Sequence, residues 1–208
     1  MSLCREHGDQ MHLMAAHLNT RPLWLARRNL ERALEETRRG IQIAREIGVV
    51  VATFGGEFNV GELLYQAGEP DEAHPPIQRA VEIERKGLSG YKRPAARLLE
   101  ARLLAYLGRD AEARTLVDEI TAIQKEAERT GDAESLLFPP EQVLLRLVDL
   151  CTRDATDAEW TDLEERSRTA SIEQEPIEVA EMTALAFARR GHIDRARRRL
   201  EEALALAE

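Results

Sequence analysis

Three histidines near the start of the chain are the first residues whose type suggests chemistry, because imidazole is a common metal ligand. They are His7, His12 and His17, spaced five residues apart. On a helix that spacing turns each side chain by about 140° from the previous one, whereas metal-binding pairs four residues apart share a face. The pattern therefore indicates surface histidines rather than a metal site.

A second cluster places acids close to a histidine, an arrangement that could support acid–base chemistry. The segment 69–72 carries three acids and is followed by His74. Acids recur at the start of later predicted helices without a histidine, as Asp110 and Asp194. Carboxylates at such positions satisfy the N–H groups and the dipole of a helix N-terminus. We interpret Asp71 in the same way, as a capping acid.

Two glycine-containing stretches and one cysteine complete the search for reactive groups. The stretch "GGEFNVG" (55–61) is not followed by Lys-Ser/Thr, as a phosphate-binding loop would be. The stretch "GLSG" (87–90) lacks the spacing of a nucleophile elbow. Cys151 has a single basic neighbour in the sequence, Arg153, that could activate its thiol. We therefore predict a protein that is not an enzyme and that carries no cofactor and no metal.

Charge argues against nucleic acid and membrane surfaces as direct partners. The 208 residues include 29 Lys plus Arg and 38 Asp plus Glu, a net charge of −9, which repels phosphate groups unless basic residues cluster. The densest basic run, 195–199, is followed at once by Glu201 and Glu202. Arg197 and Arg198 lie one helical turn from these glutamates, so we expect pairing within the helix.

The composition is typical of a helical protein in a reducing compartment. Aromatic residues make up 4% of the chain, which disfavours β folds and base-stacking platforms. Apolar runs such as 49–52 are far shorter than a membrane span, which needs about 20 residues. Cys4 and Cys151 form no motif, so we expect a cytoplasmic protein.

A repeated Gly-to-Ala step of five residues organises the chain. It occurs as "GEPDEA" from Gly68, as "GRDAEA" from Gly108 and as "GHIDRA" from Gly191. The alanines that close the step, together with an equivalent alanine in the first repeat, are Ala33, Ala73, Ala113 and Ala196. Glycine ends one helix and the acids after it begin the next, so each repeat is predicted to be a helix, a tight turn and a second helix.

Small residues also recur seven positions away from these markers, which nearly returns them to the same helix face. Gly61 precedes Gly68 by seven, and Ala80 follows Ala73 by seven. Such positions indicate where the two helices of a repeat cross closely.

Repeats of about 40 residues fill the whole chain as one domain, 1–208. We place them near 8–47, 50–86, 92–130, 139–170 and 176–207. The 139–170 repeat lacks the Gly-to-Ala step, so we expect a shorter, irregular hairpin with a capping box from Thr156 to Glu159 and with Trp160 filling the space left by small residues elsewhere. Prolines inside predicted helices should produce a bend at Pro22 and a late helix start or kink near Pro75.

This pattern resembles the tetratricopeptide repeat. Gly61, Gly68, Ala73, Ile77 and Ala80 match the family's succession of small residue, glycine, alanine, large apolar residue and alanine. The repeat is longer than the usual 34 residues, and phrases such as "IQIAREIG" (41–48) are similar to repeats of large bacterial signal-transduction ATPases and of LuxR-type and maltose-regulator-type transcription activators. The resemblance implies an all-α, right-handed superhelical solenoid of antiparallel hairpins.

The same resemblance implies a binding function for the concave groove, which the first helix of each repeat lines in this family. Carried onto this chain, the groove positions are Glu62, Tyr65, Gln66, Arg102, Tyr106 and Arg189. For Tyr65, packing between repeats is an equally good interpretation. The partner is predicted to be a protein or peptide, or a small polar ligand. Two settings stay open: the sensor or protein-interaction segment of a larger bacterial regulator, or a free-standing scaffold.

Overall fold

The computed structural model describes residue 4, residues 7–170 and residues 175–207. Within these residues the regular elements are helices and no strand is present, which confirms the all-α prediction. The α-helices are α1 (Gln10–Asn19), α2 (Arg21–Ala26), α3 (Leu30–Glu46), α4 (Val50–Gln66), α5 (Pro70–Arg85), α6 (Ala95–Tyr106), α7 (Asp110–Thr130), α8 (Pro139–Cys151), α9 (Asp157–Ala170), α10 (Glu175–Arg189) and α11 (Ile193–Ala207). A short 3₁₀ turn, Ala133–Ser135, follows α7.

The chain divides into two compact units, Met1–Lys92 and Arg93–Glu208. In unit 1, α1 and α2 pack on α3, and α4 packs on α5. In unit 2 the packed pairs are α6 with α7, α8 with α9, and α10 with α11. Consecutive first helices also pack in unit 2, since α8 lies against both α6 and α10. The helix pairs predicted from the repeat are therefore all present as hairpins.

The turns of three hairpins follow one design. Gly68, Gly108 and Gly191 take positive φ angles of 77°, 76° and 80°, a conformation that costs glycine little because it has no Cβ. In each turn the residue after the glycine donates its N–H to the carbonyl five residues earlier, at 2.9 Å. This bond satisfies a carbonyl that the helix end leaves without a partner. The acids predicted to begin the second helices, Asp110 among them, lie in first turns.

The first hairpin bends where its proline predicts. The helix ends at Asn19 and a new one begins at Arg21, with Pro22 in its first turn, where proline is tolerated. Near Pro75 a late helix start or a kink was expected. The late start is wrong, because α5 begins at Pro70 and continues through Pro75 and Pro76.

Small residues mark the helix crossings in unit 1. A Cβ at Gly61 would collide with Ile77 of the partner helix α5, and a Cβ at Gly56 would collide with Ile41 of α3. Ala73 and Ile77 are fully buried. The close approach of α4 to both neighbours therefore depends on the absence of side chains at the two glycines.

The fourth hairpin departs from the common design. Its helices contain 13 and 14 residues, against 17 and 16 in the second hairpin. Arg190, in the turn directly after α10, replaces the missing glycine as a cap, because its guanidinium donates to the carbonyls of Cys151 and Arg153 at 2.9 and 2.6 Å. The capping box is confirmed: the Thr156 N–H donates to Glu159 Oε2 at 2.9 Å, and the Glu159 N–H donates to Thr156 Oγ1 at 3.4 Å.

Trp160 anchors the core of unit 2. It is 2% exposed, and its ring meets the edge of Phe187 of α10 at a centroid distance of 5.4 Å. The surrounding core is aliphatic and includes Leu147 and Leu163, both fully buried. A large indole thus occupies the hairpin that lacks the small residues of the others.

Two expectations about polar residues need correction. His7 and His12 are exposed, but His17 is 2% exposed, so the prediction of a surface histidine is wrong there. Its Nδ1 lies 2.6 Å from Oε2 of the equally buried Glu36, because the two side chains face each other across α1 and α3. In the basic run, Arg197 does pair with Glu201, whereas the partner of Glu202 is Arg199 rather than Arg198.

Candidate functional site

One face of α4 carries the residues from which the site is built. Gly55, Asn59, Glu62 and Gln66 follow one another at steps of four, three and four residues, so they form a single longitudinal row on the helix. We call this row the α4 face. Two of the predicted groove residues, Glu62 and Gln66, belong to this row. Tyr65, the third predicted groove residue on α4, lies beside the row and is half-buried.

A cleft of about 230 Å³ lies between the first half of the α4 face and the bend between α1 and α2. Its walls are Leu18, Asn19, Arg21 and Pro22 on one side and Ala52, Gly55, Gly56 and Asn59 on the other. The break that Pro22 imposes on the first helix therefore places polar residues at the wall of the cleft. Pockets for drug-sized ligands have volumes of about 300–1,000 Å³. This smaller cleft suits one or two residues of a peptide chain.

The two adjacent glycines of the cleft have different roles. Gly56 is buried against Ile41 and is needed for packing. A Cβ added at Gly55 would meet nothing within 4 Å, leaving aside its chain neighbours and its own helix's backbone. Glycine in a helix interior costs about 1 kcal/mol relative to alanine, and no packing contact accounts for that cost at Gly55. Its effect is to expose helix backbone at the cleft.

Polar side chains frame this exposed backbone. Asn19 and Asn59 each offer an amide, which both donates and accepts hydrogen bonds. Among the described residues, neither amide takes part in a side-chain hydrogen bond with another residue. Arg21 adds a guanidinium to the same wall as Asn19. The cleft can therefore recognise a group that contains both a donor and an acceptor, next to a carboxylate.

The equivalent positions in unit 2 bind one another. Arg102 of α6, the repeat equivalent of Glu62, is 6% exposed and donates from Nε and Nη2 to the two carboxylate oxygens of Glu178 on α10, at 2.8 and 2.5 Å. Arg189, in the last turn of α10, donates to the carbonyls of Ala105 and Tyr106 at the end of α6; the bond to Ala105 is 2.6 Å long. Charged hydrogen bonds thus link α6 to α10.

The structure divides the predicted groove residues into two sets. Glu62, Tyr65 and Gln66 lie on α4 in unit 1; Arg102, Tyr106 and Arg189 lie together in unit 2. In the second set the two arginines make hydrogen bonds within unit 2, and Tyr106 is 38% exposed. The sequence predicted Arg102 as a groove residue that meets a ligand, whereas the structure pairs it with Glu178 of the same unit.

Three residues of the cleft escaped sequence reasoning: Asn19, Arg21 and Asn59. The glycine-containing stretch 55–61, which lacks the Lys-Ser/Thr of a phosphate-binding loop, forms part of α4. A signal was nevertheless available, since Gly55 stands four residues before Asn59 and seven before Glu62 in the first helix of a predicted repeat. A glycine that lines up with polar residues on one helix face points to a surface that something approaches closely.

Among the described residues, no group of three or more His, Cys, Asp or Glu side chains is placed to hold a metal ion. Burial raises the pKa of the Cys151 thiol to about 12, so the thiol stays protonated at neutral pH and is a poor nucleophile. Burial, and to a lesser extent the nearby Glu178, also raise the pKa of Glu181.

Comparison with known proteins adds no family assignment: no protein-family model matches the chain, and no curated protein sequence matches it. Over residues 7–170 and 175–207, none of the helices has the length and apolar character that crossing a bilayer demands. The function is therefore inferred from the geometry of each unit.

Proposed function

We propose that this protein is a non-catalytic binding module and that the cleft beside α4 holds an extended peptide segment of a partner protein. The observation that carries the proposal is Gly55, a helix-interior glycine in open space beside two side-chain amides. A peptide lying there can approach the α4 backbone closely, because no Cβ stands between them.

The chemistry of the cleft fits a peptide main chain. Each peptide group has one N–H donor and one carbonyl acceptor, which is what the amides of Asn19 and Asn59 complement. The guanidinium of Arg21 suits a carboxylate, either an acidic side chain or a chain terminus. Glu62 and Gln66 continue the same face beyond the cleft, so a longer segment would follow α4 towards its C-terminal end.

The proposed architecture is a tetratricopeptide-like solenoid. Its support is the repeated hairpin with a glycine turn, together with the packing of α8 against both α6 and α10. Such arrays present first helices on the inner side of a superhelix. Because the inner faces of α6 and α10 are occupied by each other, we assign the ligand to the α4 face.

The biological setting that we propose is the sensor or protein-interaction segment of a larger bacterial signalling or transcription regulator. Its support is the resemblance of the long repeats to those regulators. A free-standing scaffold that binds a helix or peptide of another protein is the alternative, and both settings use the same cleft.

A substitution at Gly55 separates binding from folding. Gly55→Leu adds a side chain where there is open space, and it replaces a poor helix former by a good one, so the thermal midpoint should stay or rise. The same side chain fills the cleft and should abolish peptide binding. The probe is a library of random linear peptides, made with free and with amidated C-termini, from which wild-type binders are selected and measured by fluorescence anisotropy.

The matched control is Ala122→Leu, which adds similar apolar bulk at an exposed position of α7. We expect this variant to bind the selected peptides as the wild type does. Arg21→Gln should weaken the peptides with a free C-terminus or an acidic residue more than the others. Selected peptides that bind Gly55→Leu with undiminished affinity would contradict the cleft assignment, and a library that yields no binder would contradict peptide as the ligand class.

A further inference from the structure

The last helix, α11, exposes a row of large apolar side chains. Ile193, Leu200 and Leu204 are 64%, 51% and 62% exposed. Their spacing of seven and four residues places them on one face of the helix. On the adjacent side of α11, Ala196 and Ala203 are buried in its hairpin with α10. We call the exposed row the α11 stripe.

The repeat shows that this face is normally covered. Leu204 stands eight residues after the anchor alanine Ala196; the equivalent residues of the first two hairpins are Ile41 and Val81, which are 4% and 3% exposed. At Ile41 the covering element is α4, the first helix of the next hairpin, whose Gly56 lies against it. The α11 stripe is thus the surface on which this fold packs a further helix.

The charges beside the stripe are self-complementary. Arg197 and Glu201 lie along one edge of it, 79% and 60% exposed, and pair with each other at 3.1 Å. In the sequence, Arg199 is midway between Arg197 and Glu201. The midpoint between Ile193 and Leu204 falls almost at the same place, between Arg198 and Arg199. A single two-fold axis at this point therefore brings both pairs into register at once when two α11 helices lie antiparallel.

We propose that α11 is a dimerisation helix whose occupant is the α11 helix of a second copy of this chain, packed antiparallel. Each Ile193 then meets the other copy's Leu204, the two Leu200 side chains meet near the axis, and each Arg197 faces the other copy's Glu201. Such an interface is isologous, with every contact made twice. The stripe is small against the about 1,200–2,000 Å² of a stable interface, so the dimer dissociates on dilution.

The test is the mass of the full chain by sedimentation equilibrium from low to high micromolar concentration. The wild type should shift from the mass of one chain to that of two as concentration rises. Leu204→Ser should stay at the mass of one chain throughout. Because Leu204 is exposed, its helical signal and thermal midpoint should match those of the wild type, which separates loss of the interface from loss of the fold.

A charge swap tests the two-fold geometry itself. Arg197→Glu alone places like charges opposite each other on both sides of the two-fold axis, and so does Glu201→Arg alone, so each should be monomeric. The double variant Arg197→Glu/Glu201→Arg exchanges the members of both pairs and should dimerise as the wild type does. Three results would overturn the proposal: a wild type that stays monomeric, which would leave the stripe to a helix of another protein; a dimer that Leu204→Ser leaves intact; or a double swap that remains monomeric.

Discussion

Arg28 holds a backbone conformation that the other turns assign to glycine. Its φ angle is 54°, and the next residue, Asn29, donates its N–H to the carbonyl of Trp24 at 2.9 Å, as in the glycine turns. A side chain in this left-handed region costs about 1–2 kcal/mol because Cβ crowds the following carbonyl. The turn of this hairpin therefore keeps the left-handed backbone conformation although arginine disfavours it.

Replacing this arginine by glycine should relieve the strain. Arg28→Gly is expected to raise the free energy of unfolding by about 1 kcal/mol, since the exposed side chain makes no hydrogen bond or ion pair with another described residue. Denaturant unfolding measures the change. Gly68→Ala, which introduces the same strain in the next turn, is the matched control and should lower stability by a similar amount; a loss of stability in Arg28→Gly would show that its turn has a different origin.

The thiol of Cys151 should be inert while the protein is folded. Burial raises its pKa to about 12, against about 8.5 in an unfolded chain. The folded state therefore disfavours the thiolate, and this group's contribution to stability is complete below about pH 8.5 and is lost as the pH rises further. In a Cys4→Ser variant at pH 8, a thiol reagent should react only after denaturant is added. Rapid reaction of the native variant would contradict the buried placement of Cys151.

At the scale of helices, the Arg102–Glu178 pair links α6 to α10 across 76 positions of sequence. Both side chains are largely buried, at 7% and 16% exposed. Removing one partner of a buried pair costs about 3–5 kcal/mol because the other charge stays in a site of low polarity, whereas replacing both by apolar residues is often neutral. The pair fixes the relative placement of the two helices more than it adds net stability.

A double-mutant cycle tests this interpretation. Arg102→Met should destabilise by about 3 kcal/mol, the lower end of that range, because Glu178 keeps some contact with water. Arg102→Met/Glu178→Met should recover most of the loss. Unfolding in guanidinium gives the free energies, and a double variant as unstable as the single one would show that the two charges act independently.

Local signals in the sequence predicted the helices and their turns well, because each depends on nearby residues. The glycines at 68, 108 and 191 act within their own turns, and the spacing of small residues marks each helix crossing. The pairs His17–Glu36 and Arg102–Glu178 could not be predicted, since each joins residues far apart in the chain. Glu62 and Gln66 were among the predicted groove residues and lie on the α4 face that we propose for the ligand. Asn19 and Arg21 were not predicted, because packing of a bent helix brings them to the cleft.

At the scale of the whole molecule, the repeat phase does not reveal the division into two compact units. Ala73 lies in unit 1 and Ala113 in unit 2, yet they are separated by the same 40 positions as Ala33 and Ala73. The repeat phase identifies equivalent positions in successive hairpins. It does not tell how extensively neighbouring hairpins pack against each other. The division concerns function, because the cleft assigned to the ligand lies wholly in unit 1 and the α11 stripe wholly in unit 2.

Each unit contains one tryptophan, so the core of each can be followed by itself. Trp24 is half-buried in unit 1, and Trp160 is 2% exposed in unit 2. Ala73 and Ala113 are fully buried where two helices cross. A larger side chain at either position forces the helices apart, at a cost of about 1–3 kcal/mol through overpacking.

We therefore expect Ala113→Leu, made in a Trp24→Phe background, to lower the guanidinium midpoint reported by Trp160 fluorescence. Ala73→Leu in a Trp160→Phe background should lower the midpoint reported by Trp24. The control is Ala122→Leu, on the same helix as Ala113 but exposed, which should leave the Trp160 midpoint unchanged because its side chain meets solvent. If Ala113→Leu and Ala122→Leu shift the midpoint equally, helix propensity rather than packing governs α7, and the close crossing of α6 and α7 at Ala113 is not what holds the hairpin together.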